Sequence, residues 1–165
     1  MDLIEVWLKD PLKHWYYRHK FAAIKREAKL AIDLKSIVDI GAGSAIFSRE
    51  LLKLNNEVQV QAVDIGYEYE GIDRNEIRIN YSRTCTNYDA DLFLLTDVLE
   101  HVEDDYNFLN LIVSKANLNP SRIGVTTAPI AGITSLYKKL HQALKTGKTS
   151  SRITLKMVPN AGPKV

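Results

Sequence analysis

Short apolar runs punctuated by turn residues recur along this chain. Those at 36–40, 58–64, 76–81, 92–96 and 123–127 have strand length, and several are apolar without alternation, which predicts strands covered on both faces. Stretches 45–54 and 104–116 carry helical spacing. Stretch 133–144 also reads as a helix, followed by a further strand candidate at 153–158. Strand and helix alternate, so the expected fold class is α/β, a doubly wound, Rossmann-like, mostly parallel sheet with ligands at the carboxyl ends of its strands. Gly41, Asp64, Asp97 and Thr127 all fall at such ends.

The first of those ends carries recognisable chemistry. In Val38-Asp39-Ile40-Gly41-Ala42-Gly43-Ser44 an apolar strand breaks into alternating glycines before a helix, so a ligand can lie against backbone that a Cβ would block. The next strand ends in Asp64, where an acceptor carboxylate can take both ribose hydroxyls. Asp39 can pin the glycine turn or face an amino group of the ligand. A dinucleotide fingerprint wants a third glycine two residues after the second, and that place is held by the bulky Ile46. The acid ahead of the first glycine turns the reading from a dinucleotide toward S-adenosylmethionine.

Composition fits one ordinary domain. The chain has 165 residues, 45% apolar and 25% charged, enough for a real core. It holds no apolar run long enough to span a bilayer, and Met1-Asp2-Leu3-Ile4-Glu5 lacks the basic-then-apolar order of a secretory signal, so the expected location is cytoplasmic. Cys85 is the lone cysteine, and no Cys/His spacing suits zinc, so no metal is expected. The formal charge of +2 hides an asymmetry. No Asp or Glu follows Asp105, while Lys and Arg continue from Lys115 to Lys164, a basic part suited to a phosphate or anionic surface.

A second phrase, Asp97-Val98-Leu99-Glu100-His101-Val102, closes the strand at 92–96. Together with the Asp39 to Gly43 run it resembles the class I S-adenosylmethionine-dependent methyltransferases, over roughly residues 36–127. The resemblance implies that Asp39, Gly41, Ala42 and Gly43 line the methionine part and that Asp64, with Ile65 beside it, holds the ribose. It places the turn at Ser82 and Arg83 against the adenine, though Ser82-Arg83-Thr84 lacks the acid that members often carry there. Thr96 and Asp97 would lie near the methionine and the reactive methyl. His101 is the candidate base, since its ordinary pKa lies near neutrality. The alternative is that Glu100 and His101 brace the short helix after the strand.

Ahead of the core, His14-Trp15-Tyr16-Tyr17-Arg18 resembles the aromatic-then-Arg segment of a glycan- or lipid-linked-saccharide subset of that family. Trp15, Tyr17 and Arg18 become the candidate substrate-side residues, with aromatic faces for a sulfonium and a guanidinium for an anionic or hydroxyl-bearing group. An amphipathic helix packed on the sheet is the alternative. The expected organisation is one domain, 1–165. It has a helical cap at 1–33, a cofactor-binding core at 34–130 and a basic segment at 131–165.

The function implied is S-adenosylmethionine-dependent methyl transfer to a small-molecule or saccharide acceptor, with S-adenosylhomocysteine as product. Family members normally complete the sheet with two strands after the fifth, and the residues after Thr127 look too few for both. The sheet is therefore expected to be shortened at its C-terminal side. That shortness supports a second hypothesis, a catalytically inactive cofactor-binding subunit that acts through a partner, or a homo-oligomer in which another subunit covers the open edge.

Overall fold

The structure is a computed structural model that describes residues 13–30, 34–116, 122–127 and 152–157. In chain order its elements are α1 (Trp15–Leu30), β1 (Ser36–Ile40), α2 (Ile46–Leu52), β2 (Gln59–Val63), β3 (Gly71–Ile72) and β4 (Ile79–Ser82). After these come β5 (Leu92–Thr96), a 3₁₀ turn (Leu99–His101), α3 (Asp105–Ala116), β6 (Arg122–Thr127) and β7 (Arg152–Met157).

Among the described residues the strands form one mixed sheet of order β3-β4-β2-β1-β5-β6-β7. The short β3 runs antiparallel to β4, and every other pairing is parallel. From β1 the chain travels outward through β2 to β4, then returns to place β5 on the other side of β1. The loops leaving β1 and β5 therefore part at one point on the carboxyl edge, where open α/β sheets bind ligands.

Side-chain alternation explains why both faces are covered. Ile37, Leu92 and Leu94 point into a cluster with Tyr17 and Ile24 of α1 and Leu51 and Leu52 of α2. Their neighbours Val38, Ile40, Phe93 and Leu95 point the other way, against Leu109, Ile112 and Val113 of α3. The central strands carry buried apolar residues on both sides, as a parallel sheet between two helical layers requires. The strand starts are tied by Asp91, whose Oδ2 accepts from the Lys35 and Ser36 amides at 3.0 and 2.9 Å and from the Ser36 hydroxyl at 2.8 Å. Helix α3 begins where it does because Asp104 accepts the Asn107 amide at 3.1 Å, an N-cap bond.

The expected strands at 36–40 and 92–96 match β1 and β5. The strand expected at 76–81 starts later, at Ile79, because Asp73 Oδ1 takes the Asn75 and Glu76 amides at 2.7 and 2.9 Å and holds that stretch as a turn. One strand, β7, follows β6 among the described residues, close to the expected 153–158. The sheet reaches seven strands through β3, a two-residue edge strand with too little sequence to show a period. The helix expected at 133–144 lies outside the described residues, as do 1–12 of the expected cap and most of the basic segment. No helix among the described residues is long and apolar enough to cross a membrane.

Candidate functional site

The loop after β1 is bent by backbone that L-residues rarely adopt. Gly41, Gly43 and Ala45 have φ of 70°, 52° and 56°. The Gly41 and Ala42 amides both donate to Val63 O of β2, at 2.7 and 3.1 Å, which folds the loop across the strand end. At Gly41 a Cβ would sit 2.4 Å from Val98 Cγ2, so glycine lets the loop touch the chain leaving β5. Ala45 takes a glycine-like conformation without being glycine and opens α2 with no side-chain cap.

Gly43 is held by both its backbone groups. Its amide donates to Asp64 Oδ2 at 3.0 Å, and its carbonyl accepts from the Tyr67 hydroxyl at 2.8 Å. Asp64 Oδ1 takes the Gly66 amide at 2.8 Å. Each carboxylate oxygen has two lone-pair sites, so Asp64 orders the loop and keeps acceptor capacity for a ligand. Ile65 beside it is 92% exposed, an apolar surface at the rim. Burial, together with the nearby Asp39 and Asp64 carboxylates, pushes the Tyr67 phenol well above its ordinary range, which keeps it a donor.

Behind Tyr67 stands a supporting network. Its ring meets Tyr81 edge-on at 5.0 Å, and the Tyr81 hydroxyl donates to Asp73 Oδ2 at 2.9 Å. Arg49 of α2 pairs with Asp73 and donates to Tyr81 Oη at 2.7 Å. Burial alone would raise the Asp73 carboxyl. The Asn75 amide, Tyr81, Arg49 and the Glu76 amide outweigh it and bring the group down to about 2.

At the end of β5 the chain turns sharply through Asp97, whose φ is 55°. Helix α1 crosses this end and supplies two residues four apart, Tyr16 and Lys20. The Tyr16 hydroxyl donates to Asp97 Oδ2 at 3.0 Å, and the Lys20 ammonium donates to both Tyr16 Oη and Asp97 Oδ2. Lys20 Nζ also lies 3.9 Å above the Tyr16 ring. The whole Lys20 residue is 0% exposed. Asp97 Oδ1, Thr96 Oγ1 and His14 Nδ1 are buried with no hydrogen-bond partner among the described residues. Buried polar atoms are ordinarily paired, and Thr96 and Asp97 each leave one unsatisfied among the described residues at the end of β5.

The remaining expected residues fall in different places. Asp39 is 2% exposed, and its Oδ2 accepts from Ser48 Oγ of α2 at 2.6 Å, so it ties helix to strand. Ser82 Oγ accepts from Gln61 Nε2 at 2.8 Å and donates to Thr84 O at 3.0 Å, while Ser82 O receives the Asp64 amide at 3.1 Å. Trp15 stacks edge-on against Tyr16 at 5.8 Å. Arg18 is exposed, whereas Tyr17 is buried against Phe47 at 6.1 Å and belongs to the core beneath α1. His101 is exposed on the 3₁₀ turn, whose buried side chain is Leu99.

Tyr16 and Lys20 are the site residues that sequence reasoning missed. Their spacing of four places them on one helical face, but a lysine in a basic stretch reads as solvated. Among the described residues no group of three or more His, Cys, Asp or Glu side chains is arranged to hold a metal ion. In comparisons with known proteins, no protein-family model matches the chain and no curated protein matches it.

Proposed function

We propose that this protein binds S-adenosylmethionine at the carboxyl edge of β1, β2 and β5 and transfers its methyl group to a small-molecule or saccharide acceptor. The observation that carries the reading is the convergence of three features on one edge. They are the glycine loop whose first residue admits no Cβ, the Asp64 carboxylate at the end of β2, and the orphan atoms of Thr96 and Asp97 at the end of β5.

The donor set suits the parts of such a cofactor. Asp64 would accept ribose hydroxyls with lone pairs left after its bonds to Gly43 and Gly66. Ile65 offers an apolar face for the adenine, near the turn that follows β4 at Ser82. Asp97 Oδ1 would accept from the methionine ammonium, with Thr96 Oγ1 beside it. Bound there, the cofactor supplies a methyl on a sulfonium, a good electrophile. The chain supplies chiefly orientation, because in-line displacement gains most from holding the reacting atoms in near-attack geometry. Tyr16 of α1 reaches Asp97 after β5 and Trp15 packs on Tyr16, so the acceptor would enter beside this aromatic row.

Calorimetry with S-adenosylmethionine and S-adenosylhomocysteine tests the binding step. Saturable heat is expected, weakened at least about tenfold by Asp64→Ala through loss of charged hydrogen bonds. The absence of heat with either ligand at millimolar concentration sinks the reading. Incubation with methyl-labelled cofactor and cell extract then tests transfer, with a labelled product expected.

A further inference from the structure

Lys20 is among the largest fully buried side chains described, and its ammonium meets Asp97, a carboxylate at the end of β5 where the methionine part is proposed to lie. The Asp97 carboxylate is thereby divided. Its Oδ2 is taken by Lys20 and Tyr16, while its Oδ1 is buried with no partner among the described residues. One oxygen answers a cation built into the protein, and the other is left to a ligand.

We infer that Lys20 sets the charge preference of this site, cancelling Asp97 so that a cationic sulfonium and a neutral thioether are held with similar strength. The inference rests on the cofactor reading given above. A ligand ammonium bonding to Asp97 Oδ1 is common to S-adenosylmethionine and S-adenosylhomocysteine, so it drops out of their ratio. What differs is the sulfonium charge, and that charge interacts with the net charge of the Lys20–Asp97 pair.

The arrangement has a catalytic consequence. As the methyl leaves, sulfur takes back the electron pair of the S–CH₃ bond, and the positive charge spreads toward the methyl and the nucleophile. A bare carboxylate beside sulfur would hold the sulfonium ground state more strongly than the transition state and so raise the barrier. It would also favour cofactor over product. Lys20 removes that bias and leaves Asp97 Oδ1 free to orient the ligand by a hydrogen bond. Lys20 is thus a positioning and specificity-determining residue.

The test is the ratio of dissociation constants for the two ligands, measured by calorimetry on the full chain. Lys20→Met leaves a net anion at Asp97, and the ratio should move toward S-adenosylmethionine by about tenfold. Asp97→Asn leaves the buried ammonium, and the ratio should move the opposite way. The double variant Lys20→Met/Asp97→Asn should return close to the wild-type ratio. Circular dichroism checks each fold. Where Lys20→Met does not fold, Asp97→Asn decides, and where neither single variant folds the wild-type ratio decides, since the inference requires it to lie within about tenfold of one. Ratios within about twofold of wild type in the single variants, or a shift of both in one direction, overturn the inference. So does a double variant whose ratio departs from wild type. Wild-type protein that binds neither ligand overturns the cofactor reading itself, whereas binding of both with an unmoved ratio overturns only the role of Lys20.

Discussion

Ser48 Oγ donates to Asp39 Oδ2 at 2.6 Å, and both residues are buried between β1 and α2. The bond fixes the helix that follows the glycine loop to the strand that precedes it, so the loop is clamped at both ends. A hydrogen bond to a buried carboxylate is worth more than a neutral one. Ser48→Ala should cost about 2 kcal/mol of stability, seen as a lower urea midpoint with an unchanged slope. Ser48→Thr, which keeps a hydroxyl, should retain part of that stability.

Tyr67 reaches the loop from the other side, its hydroxyl on Gly43 O. Tyr67→Phe keeps the ring against Tyr81 and removes only that donor. The expected loss is about 1 kcal/mol in urea unfolding, with a severalfold weaker affinity for S-adenosylhomocysteine in calorimetry. Because the phenol is held well above its ordinary range, the ratio of wild-type to Tyr67→Phe affinity should stay constant as pH rises from 7 to 9, the ligand's own ammonium titrating alike in both. A ratio that falls across that interval would mean that the phenol ionises there.

Much of this arrangement is legible in the sequence, for reasons that differ from residue to residue. Val38 and Phe93 sit in strands apolar on both faces, so their runs stand out without any partner being known. Gly41 and Gly43 are legible because few other residues permit a positive φ, although Val98, which forces glycine at 41, lies 57 positions away in sequence. Asp39 is legible as an acid in the right place, yet its partner Ser48 depends on how α2 packs. Lys20 is the hardest case. Its type predicts solvent, and only the crossing of α1 over the end of β5 gives it Asp97. The same crossing turns Tyr17, which reads as a substrate-side aromatic, into the core.

The Asp73 carboxyl supplies a pH signature. Its folded pKa of about 2 lies below the ordinary 3.8, so the unfolded state binds its proton more readily. The stability it contributes is therefore fully present above about pH 4 and is lost as pH falls from there toward 2. Its partner Arg49 has a side chain 35% exposed, so screening reduces the contribution to the order of 1 kcal/mol. Asp73→Asn should flatten that part of the stability profile, measured as urea midpoints between pH 2 and 6, while leaving the shape above pH 5 unchanged.

Gly41 faces two separate constraints, and substitution can tell them apart. A Cβ there would meet Val98 Cγ2 at 2.4 Å, and the backbone φ of 70° is strained for any L side chain. Gly41→Ala should therefore destabilise by about 2 to 3 kcal/mol, the strain and the overlap together. Val98→Ala removes the methyl that the new Cβ would strike. In the double variant Gly41→Ala/Val98→Ala the overlap vanishes and only the conformational cost remains, so the two changes should be less damaging together than their sum by about 1 kcal/mol. Urea unfolding of the two single variants and the double variant measures that coupling. A strictly additive result would mean that the loop moves away from Val98 when it gains a side chain, and the contact between the β1 loop and the chain leaving β5 would then not be what requires glycine.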